Sequence, residues 1–254
     1  MKELVSWCCS VLPADGILSY RMPQGDRRGP ELDLADLAYD GKLSTDGRLS
    51  DGLGQLVDGV EGASNFRFVD GADGRGRKGY DWIGWRNDTS AVDGGSSGGG
   101  SGGGGGGRTS IQIVFEFDAP RRFTSARLHA NNLFSKEVRV FRRATFRFTA
   151  ENPAVGAVVA GGGGGAGTPT IVYDVARDSL AESARYVVVS LRNRIGRFVA
   201  VELFFDARWM MISEVRFESG RRAIVVRSDT LSYRSIIVVS RKTTKSKPVS
   251  LLGC

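Results

Sequence analysis

Residues 111–118 read IQIVFEFD, with Ile111, Ile113, Phe115 and Phe117 on one side of a two-residue period and Gln112, Glu116 and Asp118 on the other. Successive side chains of an extended strand point to opposite faces, so the stretch predicts a strand with one face in a core. FVAVELFF at 198–205 repeats the pattern with Val199, Val201, Leu203 and Phe205, and SARYVVVSL (183–191) and MMISEVRF (210–217) are strand-like as well. Short β-type segments divided by Gly, Pro, Asn and Asp turns, with no long segment of helical period, predict an all-β barrel or sandwich.

The 254 residues around these segments suffice for one full domain with long loops. Glycine is in excess, at 35 residues, chiefly because of two runs, 94–107 and 161–167. The first is a flexible coil of roughly 20 Å mean reach. Strand-like segments of a single pattern lie on both sides of it, so both runs read as expanded loops within one domain. The net charge of +7 has one source: from Arg221 onward eight basic residues stand against Asp229 alone, and the rest of the chain is neutral overall. Aromatic residues do not alternate with these bases in the pattern of a stacking platform, so the tail reads as a solvated segment and not as a nucleic-acid platform.

No run of about 18 apolar residues marks a membrane span, and the first residues lack the apolar stretch of a signal peptide. Cys8, Cys9 and Cys254 lie at the extremes, where they form neither a disulfide framework nor a zinc site. His129 is the only histidine and has no nucleophile near it in sequence, so it reads as structural. The glycine runs lack the Lys-Ser/Thr ending of a phosphate loop, and nothing resembles a kinase catalytic loop. No enzyme is expected in this chain.

Four segments carry the reading further: LAYDGKLSTDGRLSDGLGQLVDGVEG (37–62), GYDWIGWRNDTS (79–90), FEFDAPRRFTSARLHANNLFSKEVRVF (115–141) and FFDARWMMISEVRFESG (204–220). Together, in this order, they resemble the second, discoidin-like domain of discoidin domain receptors. The resemblance implies a discoidin-like jelly-roll β-barrel over 23–220 with the glycine runs as loop insertions. Residues 1–22 would be the end of a preceding discoidin domain and a linker, and 221–254 a disordered basic tail. Members of the family are collagen-activated receptor tyrosine kinases. Collagen would be bound by the adjacent discoidin domain, against which this one packs, in a receptor homodimer on the extracellular side of the plasma membrane. The chain would then be a fragment, with one of Cys8 and Cys9 severed from its disulfide partner.

The resemblance also implies a calcium site, with ligands at Gln55, Asp58, Val60, Tyr80, Trp82, Ser213 and Glu214. The donor types suit calcium, which takes six to eight oxygens from carboxylates, amides and backbone carbonyls. Asp58 and Glu214 would supply charge, Gln55 an amide oxygen, and Val60, Tyr80 and Trp82 only their carbonyls. Strand alternation turns Ser213 and Glu214 to opposite faces, so Glu214 is expected by carboxylate and Ser213 by carbonyl. Ala35 stands where the family has asparagine and could add only a carbonyl. Phe146 and Val201 match the two cysteines of a family disulfide, so an apolar contact would replace the bond. Asn87-Asp88-Thr89 is a glycosylation acceptor at a position where the family carries one. The alternative is a free-standing discoidin-type module for carbohydrate or phospholipid, favoured if Trp85 or Trp209 proves to be an exposed loop-tip aromatic.

Overall fold

The computed structural model describes residues 16–67, 78–88, 107–152 and 170–221. The cysteines, the glycine runs apart from Gly107, Thr89 of the glycosylation triplet and the tail beyond 221 lie outside them.

The described residues form strands β1 (Ile17–Pro23), β2 (Arg27–Arg28), β3 (Leu32–Asp33), β4 (Lys42–Leu43), β5 (Arg48–Gly52) and β6 (Ile83–Arg86). They continue with β7 (Ser110–Ala130), β8 (Arg143–Thr149), β9 (Thr170–Asp174), β10 (Arg185–Phe204) and β11 (Trp209–Arg221). All the strand pairs are antiparallel, in the order β4-β5-β1-β7-β10-β8-β9, with β11 on β7 and β6 on β11. This is the all-β jelly-roll architecture expected above.

β7 and β10 make the fold. The first half of β7 lies between β1 and the second half of β10, and its second half lies between β11 and the first half of β10. The change falls at Asp118-Ala119-Pro120, where Pro120 has no N–H for a ladder, and in β10 between Gly196 and Phe198; a separate bulge in β10 holds Arg192 and Asn193, both with positive φ. The two ends of β7 are tied together by the segment 131–142. Asn131 N–H donates to Met211 O at 3.1 Å, Trp209 N–H to Glu137 O at 3.0 Å, Arg142 N–H to Phe204 O at 2.9 Å, and Phe205 N–H to Thr109 O at 3.2 Å. The 21-residue β7 is thus shared by two sets of strands, which these bonds link beyond its ends.

Inside the fold, the predicted faces are buried: Ile111, Ile113, Phe115 and Phe117 on β7, and Val199, Val201 and Leu203 on β10, with Phe205 just beyond. Phe117, Phe123 and Phe217 stack edge to face with centroids 4.8–5.8 Å apart. Each phenylalanine buried in this way contributes about 1.5–3 kcal/mol. Phe146 and Val201 lie directly opposite one another on β8 and β10, both fully buried.

Residues before 23 take part in the fold: β1 pairs with both β5 and β7 and sends Ile17, Tyr20 and Met22 into the core. Neither tryptophan of the alternative reading is exposed. Trp85 is 0% and Trp209 3% accessible, the latter beneath the guanidiniums of Arg28 and Arg86 at 5.1 and 5.8 Å.

Candidate metal centre

A second apolar cluster, Leu32, Leu34, Phe66, Trp82, Val138, Trp209 and Met211, lies beneath the loops and sets the geometry of the polar residues around it. Trp82 is its centrepiece, stacked on His129 with centroids 5.4 Å apart and donating from Nε1 to Ala63 O at 3.1 Å. Gly62 packs flat against this ring; a Cβ there would lie 2.3 Å from it, so the approach demands glycine.

The register of β11 on β7 slips between Ile212 and Glu214. This irregularity cancels the alternation expected from sequence, so Ser213 and Glu214 are both buried, and both side chains meet the turn at 59–62. Glu214 Oε2 accepts from Gly59 N–H at 3.1 Å, and Ser213 Oγ accepts from Gly62 N–H at 3.1 Å. Ser213 Oγ also lies 2.6 Å from His129 Nδ1. The serine hydroxyl is thus engaged twice within the fold.

The turn is built locally. Gln55–Val57 make one 3-10 turn anchored by buried Leu56, Asp58 ends it, and Gly59 takes the left-handed conformation at φ +84°. Asp58 is exposed, with Oδ1 accepting from Val60 N–H at 2.9 Å. Gln55 is buried; its Oε1 accepts from Leu37 N–H at 2.7 Å, and its Nε2 donates to Tyr80 O. Gln55 and Tyr80 are thus in contact, as are the 58–60 turn and Glu214. Trp82 joins through the tight turn in which its N–H donates to Gly79 O at 2.9 Å. Ala35 is half-buried and donates its N–H to Asp33 Oδ1 at 3.2 Å.

Four residues of this centre escaped the sequence reading. Asp36, beside Ala35, is buried: Gln55 N–H donates to its Oδ1 at 3.1 Å, and the Tyr20 hydroxyl to its Oδ2. Arg216 donates from Nε to Glu214 Oε1 at 3.1 Å and from Nη2 to Glu61 Oε1 at 3.3 Å. The Tyr186 hydroxyl donates to the same Glu61 oxygen at 2.7 Å. His129, read from the sequence as structural, is a wall residue whose burial holds its pKa below the ordinary histidine value. Asp36 left one signal, an acid among the apolar residues of LADLAYD; the others left none.

Electrostatically, burial outweighs the Arg216 guanidinium that touches Glu214. Burial raises the Glu214 carboxyl to about 7, against which the Arg216 guanidinium and Gly59 N–H pull it down, while Asp58 pushes it up. Burial likewise raises Asp36, and Asp58 adds to the effect. Among the described residues no three His, Cys, Asp or Glu side chains converge closely enough to hold a metal by themselves. A cation would therefore need amide and carbonyl oxygens beside Glu214 and Asp58, and such a mixed, all-oxygen set fits calcium. Elsewhere, Asn87 is half-buried and donates its N–H to Arg208 O at 2.9 Å.

The family model described as "Discoidin domain-containing receptor 1/2, DS-like domain" matches residues 16–219. Discoidin domain-containing receptor tyrosine kinase B of Caenorhabditis elegans is 28% identical over 231 residues, covering 87% of this chain and 24% of that protein. Epithelial discoidin domain-containing receptor 1 of Rattus norvegicus is 31% identical over 208 residues, covering 81% and 20%. The chain thus spans 20–24% of the length of these relatives. A fucolectin from striped bass (Morone saxatilis) serum has a TM-score of 0.39 at 12% identity, over 82% of this chain and 47% of that one. A Streptococcus pneumoniae fucose binding module has a TM-score of 0.36 at 10% identity, over 72% and 92%. Scores of this size support no argument about this chain. The family match, by contrast, runs from the residue before β1 to Ser219 near the end of β11: the chain belongs to the discoidin domain-containing receptors, as their DS-like domain.

Proposed function

We propose that the chain is a calcium-binding ectodomain module, serving in a full-length receptor as a rigid support for collagen-activated transmembrane tyrosine kinase signalling. One observation carries the calcium reading: Glu214, 3% accessible, sits against the backbone of the 58–60 turn, where its charge is only partly compensated. Glu214 and Asp58 would hold the ion by carboxylate and Gln55 by its amide oxygen. Val60, Tyr80, Trp82, Ser213 and, at the margin, Ala35 would do so by carbonyl. Calcium would add positive charge to that which Arg216 already brings to Glu214. The chain's own residues do the rest: the bulge at Ser213 aims Glu214 at the turn, Leu56 pins the turn to the core, and Trp82 fixes the 79–82 loop.

In a longer receptor this module would pack on a neighbouring discoidin domain, outside the cell and in a homodimer, leaving collagen contact to that neighbour and catalysis to a kinase domain. The full chain alone should show no saturable binding to triple-helical collagen in a solid-phase assay. The carbohydrate or phospholipid alternative gains nothing from Trp85 and Trp209, both buried.

A native-state ligand adds about 2.7 kcal/mol at a hundredfold excess over its Kd. A chelator should therefore lower the melting temperature by several degrees relative to millimolar calcium. Asp58→Asn and Glu214→Gln should each shrink that difference. Identical melting curves with and without chelator, and no calcium bound at millimolar concentration, would overturn the reading.

A further inference from the structure

Arg216 lies two residues after Glu214, on the outer face of the sheet formed by β11, β7 and β10. Its guanidinium touches the same elements that the proposed ion would join. Nε donates to Glu214 Oε1 at 3.1 Å, and Nη2 is 3.3 Å from Glu61 Oε1 and 3.4 Å from Gly59 O. One side chain thus bridges the strand that carries Glu214 and the turn that carries Asp58 and Val60. The register places Arg127 of β7 directly opposite, with its guanidinium 4.6 Å from the Tyr186 ring, against 5.7 Å for Arg216. Like charges opposed across neighbouring strands repel, and Arg216 relieves this by reaching toward Glu214 and Glu61 while Arg127 keeps the nearer place over the ring.

We propose that Arg216 is a built-in counter-cation that sets the affinity of the Glu214 site: it neutralises the carboxylates when no metal is bound and opposes the metal when one arrives. The inference rests on the calcium reading above. The cost of the device is affinity, since a divalent ion entering the site meets a positive charge already hydrogen-bonded to one of its ligands. Its benefit is a turn at 58–62 that stays docked on β11 without metal. The role is that of an affinity-determining neighbour and not of a ligand, because a guanidinium has no lone pair to give.

Isothermal titration of the full chain with calcium chloride tests this on wild type, Arg216→Gln, Arg216→Met and Arg216→Lys, with melting curves in chelator establishing that each variant folds. Both neutral variants should bind calcium more tightly, with a Kd lower by roughly tenfold, the scale of removing one unit of like charge beside a divalent ion even at a water-like dielectric. Arg216→Gln keeps a hydrogen-bond donor and so separates loss of charge from loss of the bridge. Arg216→Lys keeps the charge and should stay near the wild-type Kd. Unchanged or weaker binding in both neutral variants, with wild type still binding, would overturn this inference and make Arg216 a purely structural clasp. Absence of calcium binding in wild type and every variant would overturn the calcium reading itself, and this inference with it.

Discussion

Strands β8 and β10 run in unbroken register from Arg143 opposite Phe204 to Thr149 opposite Phe198, whereas β7 and β11 lose register twice, at Ser213 and again near Ser219. The regular pair obeys alternation, so every second side chain enters the core and Phe146 meets Val201 without any polar atom to satisfy. The irregular pair breaks alternation, so two adjacent polar residues are buried on one loop and must be satisfied by Gly59, Gly62, His129 and Arg216. Regular pairing builds stability from non-directional burial. The bulge spends some of that stability to create a place where charge is held away from water.

The strongest way to break the regular side is Phe146→Ala. A large cavity in a core seam costs about 3–5 kcal/mol, and at roughly 2–4 °C per kcal/mol for a domain of this size the melting temperature should fall by about 10 °C. A loss below about 1 kcal/mol in a urea titration would mean that the seam is not packed as the register implies. The same seam can be tightened with the pair Phe146→Cys and Val201→Cys. Directly opposed residues bring Cβ atoms to about 4.5–5.5 Å, a small adjustment from the roughly 3.8 Å of a disulfide. Closing a loop of about 55 residues should then make the oxidised form more stable than the reduced one by up to about 4 kcal/mol. Persistence of free thiols in the oxidised, folded protein would contradict the pairing.

On the irregular side, Ser213→Ala removes the hydroxyl that serves Gly62 N–H and His129, and should cost about 1–3 kcal/mol, the penalty for buried groups left without partners. A neutral result in thermal melts would show that the bulge stands without that hydroxyl. The smallest effect is one of pH. In chelator, the raised folded-state pKa of Glu214 means that the native protein holds this proton more tightly than the unfolded chain does. Its contribution is therefore fully present below the unfolded value near 4.5 and is lost as pH rises through about 7. Melting temperatures in chelator should decline across that window for wild type and decline less for Glu214→Gln. Equal slopes for the two proteins would place Glu214 in a less demanding environment than its burial indicates.

Much of the fold could be read from the chain because side-chain alternation is local. Ile111 through Phe117 and Val199 through Leu203 declare their buried faces from their own spacing. The family resemblance extended this to Phe146 opposite Val201 and gathered Gln55, Tyr80, Asp58 and Glu214 from distant segments. It did not reveal that Ile17, Tyr20 and Met22 belong to the core, because a strand of mixed pattern becomes a strand only when β5 and β7 flank it.

The sequence by itself determined which residues alternate, where the chain turns and which acids are available. Only the tertiary structure decided how those acids are used. The slip in register at Ser213 is a property of two strands pairing, so no inspection of ISEV could show that both side chains face one turn. Ser213 meets Gly62 across 151 positions of sequence, and Arg216 meets Glu61 across 155. Trp85 and Trp209 are buried by strands and arginines that come from elsewhere in the chain. Side-chain period is fixed by the backbone of each segment, whereas register, burial and charge compensation depend on what the rest of the fold brings alongside.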